Sequence, residues 1–539
     1  MNSSKVLSAA AFCVMAISCV AQVPGDVQGP RIRAHVKFLS SDLLEGRGVG
    51  TRGGQLTEEY LAAQLAAVGV KPAGENGTFF QTVNMVGVQT QPNSQLTATG
   101  AGKTVNLKWQ DEFVGASHRQ RESETVDAEA IFVGHGIVSK SENWDDYKAT
   151  DVKGKVVVLF TNEPQPDNPQ VFKGRTLTYA GRWTYKFEEA ARQGALGCII
   201  IHTTPTAGYA WEVVRNSWGK EDPQMKLEAG KPALAFAGWV TTEAGNKLLG
   251  LAGKSVDELL AASDSKEFKP IPLGFRIKAQ LNAKIRPIVS RNVLGSVEGS
   301  DPQLKSEYVL YGAHWDHLGV SVAVNGDSIY NGAIDNATGC GVVLDIARSW
   351  NALRDKPRRS ALFAFWTAEE SGLRGAEYYA AHPVIPTAKT AININYDAIF
   401  PSARSQDIVV TGAERTSAWP IVQEAARRFD FEIAPDPRPE QGSYYRSDHF
   451  MLARVGIPAF SVKTGNKIGG KGEAAGADIF REYNTKHYHQ PSDEFKETWD
   501  FASLEYAARF GFMVGLNIGN APQIMKWNPG DEFAISSAR

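Results

Sequence analysis

Two adjacent carboxylates end an apolar run near the middle of the chain. The segment Phe363-Ala-Phe-Trp-Thr-Ala-Glu-Glu-Ser-Gly places Glu369 and Glu370 directly after residues that predict a buried strand. Like charges crowded at a poorly solvated site are unfavourable unless one carboxyl takes a proton or a cation lies beside the pair. The pair therefore indicates a metal site or acid–base chemistry, and the rest of the chain must supply the partners.

Candidate partners stand where other apolar runs end, before a helix, or in a late polar loop. They are His314, Asp316, Asp335, Asp397 and His489. Because the carboxyl ends of strands in an open α/β sheet meet in one crevice, we expect these side chains to converge. Imidazole and carboxylate ligands suit zinc, and a bridging carboxylate allows a second ion to bind. Each residue alone has an ordinary structural interpretation, such as a helix cap, so the prediction rests on the joint pattern.

The elements around these residues alternate between strand and helix patterns. Apolar runs of strand length cover 308–313, 361–366 and 391–396, and a helical pattern covers 337–350. This alternation predicts an α/β fold with a mixed, largely parallel sheet sandwiched by helices. Residues 125–266 have a different sequence pattern, made up of short β-rich runs, which we interpret as an inserted β-rich domain.

The composition is that of an ordinary globular protein and does not indicate a nucleic-acid partner. The chain has 539 residues, a formal net charge of -2 and 22% charged residues. At this length two or more domains are expected. Cys198 and Cys340 fall in different predicted domains, so we expect no disulfide between them.

The N-terminus predicts export. Residues 1–21 place one basic residue before an apolar stretch that ends in small side chains, which is typical of a cleaved signal peptide. We expect a periplasmic or extracellular protein; the segment Ala16-Ile-Ser-Cys19 is a weak match to a lipoprotein box and leaves lipid tethering open. No later segment is long and apolar enough for a transmembrane anchor.

Five ordered motifs resemble those of the dizinc aminopeptidase family, which includes secreted bacterial leucine aminopeptidases, glutamate carboxypeptidase and the transferrin receptor. The motifs are His314-Trp-Asp316, Gly332-Ala-Ile-Asp335-Asn, Glu369-Glu370-Ser-Gly-Leu-Arg-Gly-Ala, Asn395-Tyr-Asp397 and Tyr488-His489-Gln-Pro-Ser-Asp. The inserted region resembles a protease-associated domain, and Ser40-Ser-Asp-Leu-Leu-Glu-Gly-Arg47 also recurs in family members. The resemblance implies a zinc exopeptidase fold divided into a signal peptide (1–21), an N-terminal part of the peptidase domain (22–124), the protease-associated domain (125–266) and the catalytic domain (267–539).

The resemblance also implies two zinc ions and a role for each motif residue. His314 and Asp397 would bind one ion, Glu370 and His489 the other, and Asp335 would bridge them. The remaining roles fall to three residues: Glu369 as general base, Tyr488 as stabiliser of the tetrahedral oxyanion, and Asp316 as the residue that orients His314.

The resemblance favours a secreted aminopeptidase that removes N-terminal residues from peptides, and three alternatives remain open. A glutamate carboxypeptidase needs a basic pocket, for which the candidates are Arg438, Arg446, Lys463 and Lys467. A glutaminyl cyclase uses a single zinc, and a receptor has lost the metal site. Because both glutamates and every ligand position are present, the sequence favours two metals and an enzyme.

Several residues near the motifs receive no catalytic role. His487 is a conceivable alternative to His489 as a ligand, and His317 is left unassigned. Ser447-Asp448-His449 contains the residue types of a serine hydrolase but lacks a G-x-S-x-G segment, so we expect a structural role or a place in the wall of a pocket.

Overall fold

The computed structural model describes residues 26–164 and 170–534. The predicted signal peptide lies outside the described residues. Within them, no helix has the length and apolarity needed to cross a membrane. Cys198 and Cys340 are both buried with free thiols, as expected.

The described chain contains both helices and strands, and several strands follow one another in its first third. The helices are α1 (Gly29–Leu39), α2 (Arg52–Ala67), α3 (Trp183–Arg192), α4 (Thr204–Ala207), α5 (Trp211–Trp218), α6 (Thr242–Leu249), α7 (Val256–Ser263), α8 (Thr338–Ala352), α9 (Arg374–Ala381), α10 (Trp419–Arg428), α11 (His449–Arg454), α12 (Gly472–Lys486) and α13 (Ala502–Asn520). The strands are β1 (Lys71–Pro72), β2 (Phe80–Thr90), β3 (Gln95–Gly100), β4 (Lys103–Leu107), β5 (Phe113–Ala116), β6 (Ser123–Phe132), β7 (Val138–Ser139), β8 (Trp144–Asp145), β9 (Val156–Phe160), β10 (Gly197–Ile201), β11 (Asp222–Met225), β12 (Phe236–Val240), β13 (Ile271–Val297), β14 (Tyr308–His314), β15 (Gly319–Val324), β16 (Asp327–Tyr330), β17 (Ser360–Trp366), β18 (Thr390–Tyr396), β19 (Asp407–Val409), β20 (Glu432–Ala434) and β21 (Ala459–Thr464).

The first sheet carries the strands whose ends were predicted to form the site. Its central strands lie in the order β17, β14, β18, β21 and run parallel. Antiparallel strands extend both sides, with β13 and β2 beyond β17 and β19 beyond β21. The predicted mixed, largely parallel α/β fold is confirmed.

Helices cover both faces of this sheet because its central strands are apolar on both faces. All seven residues of β17 are buried, which is typical of a strand in the middle of an α/β sandwich. Tyr311, Phe363 and Ile394 pack with α1, α8, α10 and α13 on one face. Leu310 and Leu362 point to the opposite face, where α9 and α11 lie.

A second sheet lies in the inserted part of the chain and shares one strand with the first. Its order is β4, β3, β13, β6, β9, β10, β12, β5, and β6, β9, β10 and β12 run parallel. The 27-residue strand β13 pairs with β3 and β6 in its first half and with β2 and β17 in its second half. The domain boundaries at 125 and 266 stay a prediction; β3, β4 and β5, which precede residue 125, pair within the second sheet.

Two glycines allow α13 to lie directly against the first sheet. A Cβ atom at Gly515 would stand 1.7 Å from the Tyr311 hydroxyl, and one at Gly511 would stand 1.7 Å from the Tyr396 hydroxyl. The Tyr311 hydroxyl donates a hydrogen bond of 3.2 Å to the carbonyl oxygen of Gly511. The close approach of this helix to β14 and β18 therefore depends on the missing side chains.

We expect Gly515→Ala to lower the free energy of unfolding by about 1–3 kcal/mol, because the buried Tyr311 has no free space into which to move. Gly250→Ala is the control, since its backbone is helical and a Cβ there meets nothing within 4 Å; we expect a change within about 0.5 kcal/mol. Urea unfolding of both variants measures the difference, and equal stabilities would contradict the packing argument.

Candidate metal centre

The predicted ligands converge at the carboxyl ends of the central strands. His314 ends β14, Glu369 and Glu370 follow β17, and Asp397 follows β18. Asp335 lies in the irregular turn Ala333–Ala337 before α8, where the peptide bond between Asp335 and Asn336 is cis. His489 reaches the same place from the segment after α12.

Asp335 stands between the two histidines. One of its carboxylate oxygens, Oδ1, is 3.1 Å from Nε2 of His314, and the other, Oδ2, is 3.4 Å from Nε2 of His489. On the first side, His314 Nε2 is also 3.5 Å from Asp397 Oδ1 and 3.9 Å from Glu369 Oε2.

Glu370 completes the second side. Its Oε2 atom lies 3.0 Å from His489 Nε2, and its Oε1 atom lies 2.6 Å from Nδ1 of His317. His317, which received no role from the sequence analysis, therefore contacts the predicted ligand Glu370. Its position three residues after His314 is the signal that pointed toward the site.

The donor set fits divalent metal ions. Nε2 of His314 and of His489 are buried and make no hydrogen bond within the described residues. Two overlapping groups have ligand atoms within 4.8 Å of one another: His314, Asp335 and Glu370 form one, and His314, Glu369 and Asp397 the other. Four carboxylates share this volume, so two dications would carry the matching charge, and mixed imidazole and carboxylate donors suit zinc.

The two adjacent glutamates have opposite electrostatic surroundings. Burial, Asp397 and Glu370 raise the pKa of Glu369 well above its ordinary value, against the opposing effect of His314. Burial also acts to raise the pKa of Glu370, but His489 and His317 outweigh it and leave that pKa well below its ordinary value. Neighbouring carboxyls whose pKa values are pushed apart are typical of a pair with separate acid–base and anionic roles.

Asp316 fixes the backbone of the glutamate pair. Its carboxylate oxygens accept hydrogen bonds from the N–H groups of Glu369 at 3.0 Å and Glu370 at 3.3 Å. The sequence predicted that Asp316 orients His314. Here its carboxylate is 3.8 Å from Nδ1 of His314, and the backbone carbonyl of Asp316 accepts the hydrogen bond from that nitrogen, at 3.1 Å.

A further carboxylate, Asp493, holds the turn that carries Asp335. It accepts hydrogen bonds from the N–H groups of Ile334 at 3.0 Å and Asp335 at 3.1 Å, and from the Tyr483 hydroxyl at 3.0 Å. The sequence analysis quoted Asp493 only as the last residue of a motif. Its place four residues after His489 was the available signal, but its backbone partners Ile334 and Asp335 lie more than 150 residues away.

Arg47 joins two of the site-bearing loops. Its buried guanidinium donates to the carbonyl oxygens of Trp315 at 2.7 Å and Gly332 at 2.8 Å, and also to those of Leu39 and Asn331. Asp493, Asp316 and Asp335 act on its charge without forming a hydrogen bond to it in the described residues. Arg47 therefore ties the end of β14 to the turn before Asp335, a role that the sequence did not reveal.

The other predicted residues occupy distinct positions. Tyr488 stacks its ring 4.0 Å from that of His489 and lines a cavity of about 360 Å³ together with both glutamates. His487 does not join the ligands, because its Nδ1 atom lies 2.9 Å from the hydroxyl of Ser492. Asp448 and His449 are fully buried, and their side chains form no hydrogen bond within the part of the chain that the structure describes. Of the four basic candidates for a carboxylate pocket, Arg446 alone lines the cavity in the described structure.

We expect Arg47→Met to lower the free energy of unfolding by about 3 kcal/mol, because it removes the buried donor shared by four carbonyl oxygens, of which that of Gly332 keeps the N–H of Ala337 as a partner. Arg52→Ala is the control, since that side chain is 70% exposed and forms only a surface ion pair with Glu45. Guanidinium unfolding distinguishes the two, and an Arg47→Met protein as stable as Arg52→Ala would show that the bonds to the loops contribute little.

Comparison with known proteins agrees with this geometry. Residues 292–509 match Peptidase family M28. The chain is 36% identical to Aminopeptidase NAALADL1 of Mus musculus over 110 residues, which are 20% of this chain and 13% of that protein. The predicted resemblance to zinc aminopeptidases is confirmed, and the alignment with this relative spans only a small part of its length.

Two solved structures share the fold over nearly the whole chain. The aminopeptidase from Aneurinibacillus sp. strain AM-1 superposes with a TM-score of 0.55 at 18% identity, over 95% of this chain and 98% of that one. BSAP, a zinc aminopeptidase from Bacillus subtilis, gives a TM-score of 0.50 at 15% identity, over 94% and 98% of the two chains. At these identities the likeness shows a common fold.

Proposed function

From the match of residues 292–509 to Peptidase family M28, we propose that the protein is a zinc-dependent exopeptidase, and specifically an aminopeptidase that hydrolyses N-terminal residues from peptides. The observation that carries the proposal is Asp335, whose two carboxylate oxygens face different histidines. Export, inferred from residues 1–21 alone, and a protease-associated identity for the inserted region belong to the same proposal.

Asp335 is the expected bridge between two metal positions. His314 and Asp397 would hold one zinc ion, and Glu370 and His489 the other. When bound, the ions would polarise the substrate carbonyl and lower the pKa of a bound water to about 7. Because a histidine lies on each side of Asp335, the site offers imidazole ligands for two ions, which favours the peptidase over a single-zinc cyclase.

Glu369 is the expected general base. Its carboxylate lines the cavity beside His314, while Asp316 holds its backbone N–H. From there Glu369 would accept the proton of the attacking water and return it to the leaving amine. Burial, Asp397 and Glu370 raise the pKa of Glu369, which favours the retention of a proton between the two steps.

Tyr488 is the expected donor to the oxyanion. Burial, Asp335 and Glu370 raise its pKa well above the ordinary value, so the hydroxyl keeps its proton at neutral pH. A protonated hydroxyl on the cavity wall can donate a hydrogen bond to the oxygen of the tetrahedral intermediate.

The cavity suits one end of a peptide and does not form a uniformly basic pocket. It is lined by aromatic side chains from the inserted region, among them Trp183 and Tyr209, and by charges of both signs, including Arg446 and Asp222. A carboxypeptidase of the glutamate-releasing kind would need clustered cations for the terminal carboxylate, and Arg182 and Arg446 lie close together on this wall. The preference for the aminopeptidase therefore rests on the similar proteins described above, which are aminopeptidases.

Metal content and substrate preference test this function together. We expect about two zinc ions per chain, and chelator-sensitive hydrolysis of aminoacyl chromogenic substrates but not of N-blocked peptides. A single zinc ion, or cleavage that ignores N-terminal blocking, would move the assignment to the cyclase or the carboxypeptidase. Failure to bind metal after zinc supplementation would refute the enzymatic proposal.

We expect Glu369→Gln to lower kcat by about 10²- to 10⁴-fold while zinc content and thermal stability stay at wild-type values, because the amide cannot accept the proton. Asp335→Asn should reduce the binding of both ions. Glu432→Gln, on the exposed strand β20, is the control. Near-wild-type hydrolysis by Glu369→Gln would show that the base is a different residue.

A further inference from the structure

One segment of the inserted region is attached to the first sheet. The stretch that contains α5 and β11 lies between β10 and β12 of the second sheet in the chain. Nevertheless β11 pairs antiparallel with β2, and the carboxylate of Glu221 accepts hydrogen bonds of 2.7 Å from Nε and 2.5 Å from Nη2 of Arg286 on β13. This anchor fixes the end of α5 against the metal centre.

Side chains from this segment contact the loop of a predicted zinc ligand. The amide of Asn216, which is fully buried, donates to the carbonyl oxygen of His489 at 3.1 Å. The Ser217 hydroxyl lies 3.1 Å from Nδ1 of His489. Nearby, Lys220 donates to the carbonyl oxygen of Leu318 at 3.0 Å, just beyond β14 and His317.

The backbone of His489 needs such support. Its φ is 55°, in the left-handed region that residues with a side chain adopt infrequently. A hydrogen bond from Asn216 to the carbonyl oxygen restrains the peptide in this conformation. The same conformation directs the ring toward Asp335 and Glu370.

The hydroxyl of Ser217 also affects the protonation and orientation of the imidazole ring of His489. A neutral imidazole that offers Nε2 to a metal carries its proton on Nδ1, and the partner of that N–H fixes the tautomer and the orientation. For His314 the partner is a carbonyl oxygen two residues away on the same strand end. For His489 the partner is a rotatable hydroxyl from the inserted region.

We propose that Ser217 is a positioning residue that fixes the tautomer and orientation of His489, and that the inserted region thereby controls how tightly the Glu370–His489 position binds zinc. The inference rests on the proposed dizinc function. Because the partner of His489 comes from another part of the chain, this position is the weaker of the two, and zinc leaves it first.

Zinc affinity tests the inference directly, with Ser217→Ala as the variant. We expect chelator competition to show two binding steps in the wild type, and Ser217→Ala to weaken only the weaker step by about 10- to 100-fold. The free zinc concentration that gives half-maximal activity should rise by the same factor, while kcat at saturating zinc falls far less. Ser217→Thr, which keeps the hydroxyl, should restore most of the lost affinity.

Ser321→Ala is the matched control, because its hydroxyl contacts the backbone carbonyl of Asn216 at 3.5 Å in the same interface without touching His489. The thermal unfolding midpoint of each zinc-free protein shows whether a variant is destabilised. If one is, we still expect zinc affinity to be high in the variants that keep the hydroxyl at position 217 and low in Ser217→Ala. Wild-type affinities in Ser217→Ala, or equal weakening in Ser321→Ala, would overturn the inference alone. A wild type that binds fewer than two zinc ions would overturn the proposed function instead.

Discussion

Four carboxylates cannot remain ionised in one buried volume without positive charge beside them. Asp335, Glu369, Glu370 and Asp397 impose that condition on the structure around them. The guanidinium of Arg47 acts electrostatically on Asp335, but its hydrogen bonds go to carbonyl oxygens and hold loops in place. The histidines lie in direct contact with the carboxylates, and the same donor set could hold metal ions. The carboxylates of Asp316 and Asp493 accept hydrogen bonds from the backbone at Glu369, Glu370 and Asp335. These bonds hold the backbone that carries the site carboxylates, whatever the protonation state of those carboxylates.

The fold and the ligand types could be predicted from the sequence because both are local properties. Apolar runs mark β14, β17 and β18, and a parallel sheet brings the residues that follow them to one edge. The supporting residues could not be predicted, since their partners are set by tertiary packing. Arg47 bonds to carbonyl groups that any sequence possesses, and Ser217 meets His489 across 272 residues. Asp316 shows the same limit within a correctly recognised motif, since its carboxylate binds the glutamate backbone and its carbonyl serves His314. The extent of the second sheet could not be predicted either. The alternation of apolar and polar residues in β3 to β5 does not reveal which sheet these strands join.

The inserted region is a structural part of the candidate centre as well as a wall of its cavity. Its aromatic residues enclose the space above the glutamates, and the segment anchored by β11 places Asn216 and Ser217 against the loop of His489. The pairing of β11 with β2, which attaches the region to the first sheet, thus also sets the distance between the cavity and His489. A displacement of the region would alter the shape of the cavity and the support of one ligand together.

Strand β13 passes without interruption from one sheet into the other, which makes the inserted region unlike a module attached through a flexible linker. Its hydrogen bonds to β3 and β6 and its bonds to β2 and β17 belong to one continuous backbone, so a twist or a shift in register in one half is transmitted to the other. Recombination that exchanged the inserted region for a homologous one would have to preserve the pairing register of β13 in both sheets. The two parts of the chain are thereby constrained to change together over evolutionary time, as a single inherited unit.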